Sequence, residues 1–194
     1  MYSREISGDI YTFGVSGRLY KSNVLLYDHQ TESLWSQLME KAVAGPLVNT
    51  DLLKILSQRM TWGAWKQRHP DTAVLSTDTG YQRDYSNDPY TGYYQIGGIM
   101  FPVGDVRNDL PAKTRILGLE INGRARAYPL EMFHFDDNSM KDVLGGVSIR
   151  FEIDTSNQVV GVFDSKGQPV AQIYAFWFAW QAFHPDATVY RKSK

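Results

Sequence analysis

The chain has 194 residues, 43% hydrophobic and 21% charged, the proportions of an ordinary globular protein that can bury a sizeable core without disulfides or metals. With 20 basic and 21 acidic residues the net charge is −1 and no Lys/Arg run stands out, so neither a nucleic-acid footprint nor a polybasic membrane patch is expected. The absence of cysteine excludes disulfides, thiolate metal sites and a cysteine nucleophile, and no apolar run is long enough for a membrane span.

The opening reads as strands. Ile10–Val15 and Arg18–Tyr20 alternate in the β manner, with Ser16-Gly17 as a turn signal between them. Val24–Tyr27 is a short apolar run ending at Asp28, Asp28–Ser33 is turn-like, and Leu34–Gln37 is a further strand. Thr61 is placed to cap a short helix in which Trp62 and Trp65 follow at i, i+3 spacing; Pro70 stops it, and Ala73–Ser76 is expected to return as a strand. From Thr77 to Pro102 the sequence is polar and rich in Gly and Tyr, the pattern of a long ordered loop lying over the domain, and its stretch from Asp78 to Tyr94 is expected to pack on the domain by its Tyr rings and to border the main cleft.

The second half is more sharply patterned. Ile116–Ile121, Asn122-Gly123 and Arg124–Tyr128 spell a β-hairpin with a two-residue turn, and Pro129 opens a helical turn. Val147–Ile153 alternates cleanly, and Gln158–Asp164 with Gln168–Tyr174 reads as a strand pair around Lys166-Gly167. Phe176–Phe183 is a second short helix stopped by Pro185, and Thr188–Tyr190 closes as a strand.

The two helical segments align. Trp62-Gly-Ala-Trp65…His69-Pro-Asp71 matches Trp177-Phe-Ala-Trp180…His184-Pro-Asp186, every pair offset by the same 115 residues (62 to 177, 69 to 184). Upstream, Val24–Asp28 resembles Val160–Asp164 at an offset of 136 residues (28 to 164), which leaves about 21 extra residues in the first copy, expected to include Glu40–Leu56. The sequence is therefore read as one domain over 1–194, built of two related units at about 1–76 and 115–194 and joined by a Tyr-rich loop over 77–114.

Several stretches together resemble the domain of unknown function (DUF) family 3179. They are Phe13–Asn23, Tyr27-Asp with Gln30–Gln37, Thr61-Trp…Trp65…His69-Pro-Asp, Thr79-Gly-Tyr…Arg83-Asp-Tyr…Asp88-Pro-Tyr90, Ala127–Leu130 and Phe176–Asp186. The resemblance covers nearly the whole chain and implies no particular activity. It implies an extracytoplasmic family, periplasmic or extracellular, whose members often carry an export signal and usually a Cys-Pro-Leu-Cys-type segment ahead of the region where this chain starts. The opening Met1–Ile6 has no apolar signal-peptide core, and the first unit is expected to lack the part equivalent to Ile116–Val147.

Four groups of residues are candidates for chemistry. His69 and His184, each followed by Pro-Asp, would either help ligate a metal across the pseudo-repeat or cap their helix C-termini. Trp62, Trp65, Trp177 and Trp180 occupy one helix face in each copy, the spacing of core packing, and Trp65 and Trp180 are expected to be buried. Asp28, Glu32, Trp35 and Gln37 combine carboxylates with an indole, which suits either acid–base work or a hydrogen-bonded turn; Glu32, Trp35 and Gln37 are the ligand-binding candidates here. In the loop, Arg83, Asp84, Tyr85, Asp88 and Tyr90 are the densest mixture of charge and rings, suited to a ligand or to pinning the loop down.

The expectation is thus an α+β fold, mostly antiparallel β with two short Trp-containing helices and an internal pseudo-repeat. The functional readings are a ligand-binding or interaction module for a small molecule and, alternatively, a hydrolase-type enzyme using carboxylate and His residues near the repeat interface. No motif names a cofactor, and no phosphate loop, dinucleotide fingerprint or nucleophile elbow is present.

Overall fold

A computed structural model of the chain describes residues 1–134, 139–154 and 159–191. The fold is α+β and dominated by antiparallel strands, as the alternating patterns predict. A short ribbon of β1 (Glu5–Ile6) and β2 (Asp9–Ile10) leads into a four-stranded antiparallel sheet in the order β3 (Phe13–Tyr20), β4 (Asn23–Asp28), β5 (Leu34–Ser36) and β6 (Lys41–Ala44). Its core is Ile6, Trp35, Ala42 and Leu52.

Two further sheets make the second half. One has the order β12 (Ile173–Phe176), β7 (Arg115–Ile121), β8 (Arg124–Pro129) and β13 (Thr188–Val189), with β13 parallel to β8. The other is β11 (Val159–Asp164), β10 (Val147–Asp154) and β9 (Ser139–Leu144), all antiparallel. Leu117, Leu119 and Tyr128 from the first meet Leu144, Ile149, Phe151 and Val162 from the second in the largest core cluster.

The period of two along β7 divides its residues between two layers. Leu117 and Leu119 face that core, whereas Ile116 and Gly118 face α3 (Trp177–Phe183), where Ile116 packs with Trp177, Trp180 and Ala187. Gly118 is required there: a Cβ at this position would stand 2.7 Å from the Trp180 ring. The opposite flank of α3 is covered by Val103, which clusters with Phe178 and Ala182.

The Asn122-Gly123 turn forms as read, with both residues at positive φ (+50° and +71°), the conformation of a two-residue hairpin turn matched to strand twist. Other local expectations are corrected. Ser16-Gly17 does not end a strand; it lies inside β3 at a bulge, and the chain reverses at Lys21-Ser22, both left-handed. Ala73–Ser76 is not a strand: it forms no ladder or bridge with another segment among the described residues. The segment after Lys166-Gly167 meets β11 irregularly, through the Phe163–Pro169 bridge, the Asp164 and Val170 N–H bonds to the Gln168 and Val162 carbonyls and the Gln172 side chain on the Val160 carbonyl; Ile173–Phe176 then pairs with β7 instead. The strand start at Gln158 lies outside the described residues. Sequence patterning also missed β9, whose residues alternate weakly.

The first Trp helix, α1 (Trp62–Arg68), has the same seven-residue length as α3. Both end on a histidine with nearly the same backbone angles, φ/ψ of −133°/73° at His69 and −126°/69° at His184, and both cap N–H groups donate to the carbonyl of the second tryptophan. Each imidazole then stacks on that tryptophan, with centroids 4.1 Å apart for Trp65–His69 and 3.9 Å for Trp180–His184. The capping expectation is therefore half right: the histidine backbone caps the helix, while the side chain turns back onto the indole instead of reaching free carbonyls.

The burial of the two helices differs. Trp177 and Trp180 are 0% and 1% exposed, whereas Trp62 and Trp65 are 52% and 38% exposed. The expectation that Trp65 is buried is wrong, because α1 has no counterpart of the β7–β8 hairpin laid across it. The segment between the helices carries α2 (Thr91–Gln95) and is otherwise irregular. No helix of the described residues is long and apolar enough to cross a membrane.

Candidate functional site

The first candidates lie around the end of β4 and on β5. Asp28 is fully buried at the end of β4. Its carboxylate accepts the Thr31 N–H at 2.5 Å, the Thr31 hydroxyl at 2.9 Å and the Trp35 indole N–H at 2.8 Å. Burial alone would raise the Asp28 pKa; the bonds from Trp35, Thr31 and Gln30 outweigh it and hold the carboxyl below its ordinary range. Trp35 is 0% exposed and offers no ring face to a ligand. Glu32 is exposed on the turn at φ +58°, and Gln37 is half-buried, its carbonyl accepting the Tyr2 hydroxyl. Asp28, Thr31 and Trp35 thus form a hydrogen-bonded turn.

The loop candidates lie in the open. Arg83, Asp84, Tyr85, Asp88 and Tyr90 are all exposed, and their contacts are local. Asp84 bonds Ser86 and Asn87, Tyr85 meets the Thr79 hydroxyl at 2.7 Å, Asp88 accepts the Tyr90 N–H, and Arg83 sits over the Tyr81 ring. The packing expected of this loop is delivered only at its end, where Tyr93 and Tyr94 meet Phe176 and Lys113 lies 3.7 Å from the Tyr93 centroid. The rings further upstream, Tyr81, Tyr85 and Tyr90, are exposed, and none of them lines the clefts described next.

The two histidines have different neighbours. His69 is exposed, and among the described residues no group of three or more His, Asp or Glu could hold a metal ion. His184 is inside. On β7, Glu120 follows Gly118 by two residues and shares its face; on α3, His184 follows Trp180 by four and shares its face. Stacking Trp180 over Gly118 therefore carries His184 to Glu120, with Nδ1 3.5 Å from the carboxylate. Burial, with the nearby Lys54 charge, lowers the His184 pKa despite the opposing pull of Glu120, so the ring is neutral at pH 7.

His184 and Glu120 stand where the two halves of the chain meet. Lys21, at the β3–β4 turn, donates to the Ala182 carbonyl at 2.5 Å near the C-terminal end of α3, and Tyr20 packs edge-on against Phe183 at 5.5 Å. Two clefts of about 400 and 320 Å³ open around this junction and share Glu120, Phe183 and His184. The first is completed by Glu40, Lys41 and Asp51 from the N-terminal half of the chain, with Lys54 paired to Glu40 at 2.8 Å. The second runs along β8 past Arg124, Arg126, Asp186 and Thr188. Its wall is fixed by Asp142, which accepts from Arg126 at 2.6 Å and from Tyr128 at 2.7 Å, while Arg126 also bonds Thr188.

Against known proteins, a family model described as "Protein of unknown function (DUF3179)" matches residues 1–187. The chain belongs to the DUF3179 family. No curated protein and no solved structure matches it. The functional geometry of this DUF3179 member therefore has to be read from its own residues. Sequence reasoning identified His184 but missed Glu120. The available signal was the alternation of β7, which puts residues 116, 118 and 120 on one face.

Proposed function

We propose that this DUF3179 member is a small-molecule-binding domain whose site is the junction between its two units, at the C-terminal end of α3. The observation that carries this reading is the convergence of a neutral His184 and Glu120 from the second unit with Glu40, Lys41 and Asp51 from the first around shared clefts. Clefts between structural units that gather a few polar groups are the usual places for small ligands. The reading includes descent of the two units from one duplicated element. It is supported by the constant 115-residue offset and by the matching helix caps and Trp–His stacks.

A second reading is favoured by one observation, the imidazole facing a carboxylate. A neutral histidine oriented by Glu120 is equipped to act as a general base, which would make the same junction the active site of a hydrolase-type enzyme.

Binding is tested by following the NMR resonances of the histidine rings and tryptophan indoles while a library of polar fragments is added. The result expected is a set of fragments that shift His184 and lose affinity in Glu120→Gln. Fragments that shift only Tyr81–Tyr94 would move the site to the exposed loop and overturn the reading. For the catalytic alternative, ester and amide hydrolysis is compared in wild type and His184→Gln; equal rates would remove it.

A further inference from the structure

In the second unit the β7–β8 hairpin is gripped at three places. Ile173–Phe176 pairs antiparallel with β7, the two tryptophans of α3 lie on Ile116 and Gly118, and Thr188–Val189 pairs parallel with β8. The constant 115-residue offset puts the counterparts of these three grips in the first unit at residues 58–61, at Trp62 and Trp65, and at Ala73 and Val74.

Each counterpart is exposed. Thr61 leads into α1 with φ/ψ of −66°/152°, nearly the extended angles of Phe176 before α3 at −81°/150°. Yet residues 58–61 join no ladder or bridge among the described residues, and neither do Ala73 and Val74. Trp62 and Trp65 are half open to solvent, and Val74 is 66% exposed. Two extended segments with free edges, flanking a pair of exposed indoles, form the kind of surface that takes up strands from another chain.

The second unit shows what such a surface accepts. The first strand of the hairpin carries an apolar residue against the first tryptophan, as Ile116 does, and a small one against the second, since a Cβ at Gly118 would stand 2.7 Å from the Trp180 ring. The Trp65 indole N–H already donates to the Thr72 hydroxyl, so this ring offers an apolar contact. A second copy of the chain does not have its β7–β8 hairpin to give. One face of that hairpin is committed to α3, and the other packs Leu117, Leu119 and Tyr128 into the core.

We propose that the first unit is a docking site for a β-hairpin of another protein. Its first strand would pair antiparallel with residues 58–61 and set a Gly or Ala over Trp65; its second would pair parallel with Ala73 and Val74. The proposal rests on the duplication of the two units and is independent of the ligand at their junction.

The test uses the one hairpin known to fit this kind of grip. A copy of residues 112–130 is appended ahead of Met1 through a flexible Gly/Ser linker of about twelve residues, a short reach because Met1 and Trp65 line the same cleft. Exchange is followed by NMR. The expected result is that the Trp62 and Trp65 indole N–H groups exchange about tenfold more slowly or better, and that backbone N–H groups within 58–61 and 73–74 become protected. The same appended copy carrying Gly118→Leu loses this protection, because the larger side chain meets the Trp65 ring. If the appended chain does not fold, the synthetic peptide of residues 112–130, added in excess to the intact protein, decides the same point. Unchanged exchange at Trp62 and Trp65, or equal protection by the Gly118→Leu copy, overturns the proposal. Protected indoles without protected backbone in 58–61 and 73–74 overturn the hairpin and leave the duplication standing. A His184 ring shift with Trp65 unmoved places the segment at the junction and also overturns it. Self-association of the wild type that protects Trp65 would make the occupant a second copy, against the proposal.

Discussion

The two tryptophan helices carry nearly the same local code and end up in different surroundings. α1 and α3 have the same length, the same histidine cap and the same ring stack. Yet Trp177 and Trp180 are sealed under the β7–β8 hairpin, while Trp62 and Trp65 face solvent. The comparison separates what a helix encodes from what its neighbours decide. Capping and stacking are properties of seven or eight consecutive residues; burial belongs to whatever strand lies across them. Helices this short draw most of their stability from that packing, so α3 is expected to be firm and α1 marginal.

The largest effect should come from removing the matched tryptophans. Trp180→Ala is expected to cost about 3–5 kcal/mol in urea unfolding and Trp65→Ala about 1 kcal/mol or less. Equal losses would break the contrast. Glycine substitutions sharpen it with opposite signs. Gly118→Ala forces a methyl into the Trp180 ring and should cost about 1–3 kcal/mol, whereas Gly63→Ala meets nothing within 4 Å and should stabilise α1 by about 0.5–1 kcal/mol, read as melting-temperature shifts. The helix starts differ as well. The Thr61 hydroxyl accepts the Ala64 N–H at the start of α1, while the first N–H groups of α3 donate to the Thr114 and Ala112 carbonyls. Thr61→Ala should therefore cost about 1 kcal/mol.

The smallest expected effect is one of pH. The folded state lowers the His184 pKa, so it prefers the neutral ring. The stability linked to this preference is present above the unfolded histidine pKa, about 6.5, and is lost as pH falls through the folded value. Wild type should therefore lose more stability than His184→Gln between neutral and mildly acidic pH in parallel urea titrations. A steeper loss in His184→Gln would contradict the direction of the shift.

Much of the architecture was legible in the sequence because its signals are local. Asn122-Gly123 specifies its turn through positive φ, β10 shows its alternation, and the Trp–His–Pro–Asp pattern marks both helices at one offset. What was not legible depends on partners distant in sequence. Trp65 reads as buried at i, i+3 spacing, but no strand covers it. Trp35 looks available beside Glu32 but spends its N–H on a buried Asp28. The set from Arg83 to Tyr90 reads as a packed loop, yet its rings are exposed, and the ring packing comes at Tyr93 against Phe176. Glu120 reads as one more strand carboxylate until the stacking of Trp180 on Gly118 brings His184 to it.

The most direct test of the account is hydrogen exchange at the five indole N–H groups, followed residue by residue by NMR in the intact chain. If burial by the β7–β8 hairpin divides the two helices, Trp177 and Trp180 exchange as slowly as the core Trp35, only through large-scale opening, while Trp62 and Trp65 exchange orders of magnitude faster. Protection of Trp65 equal to that of Trp180 would contradict it.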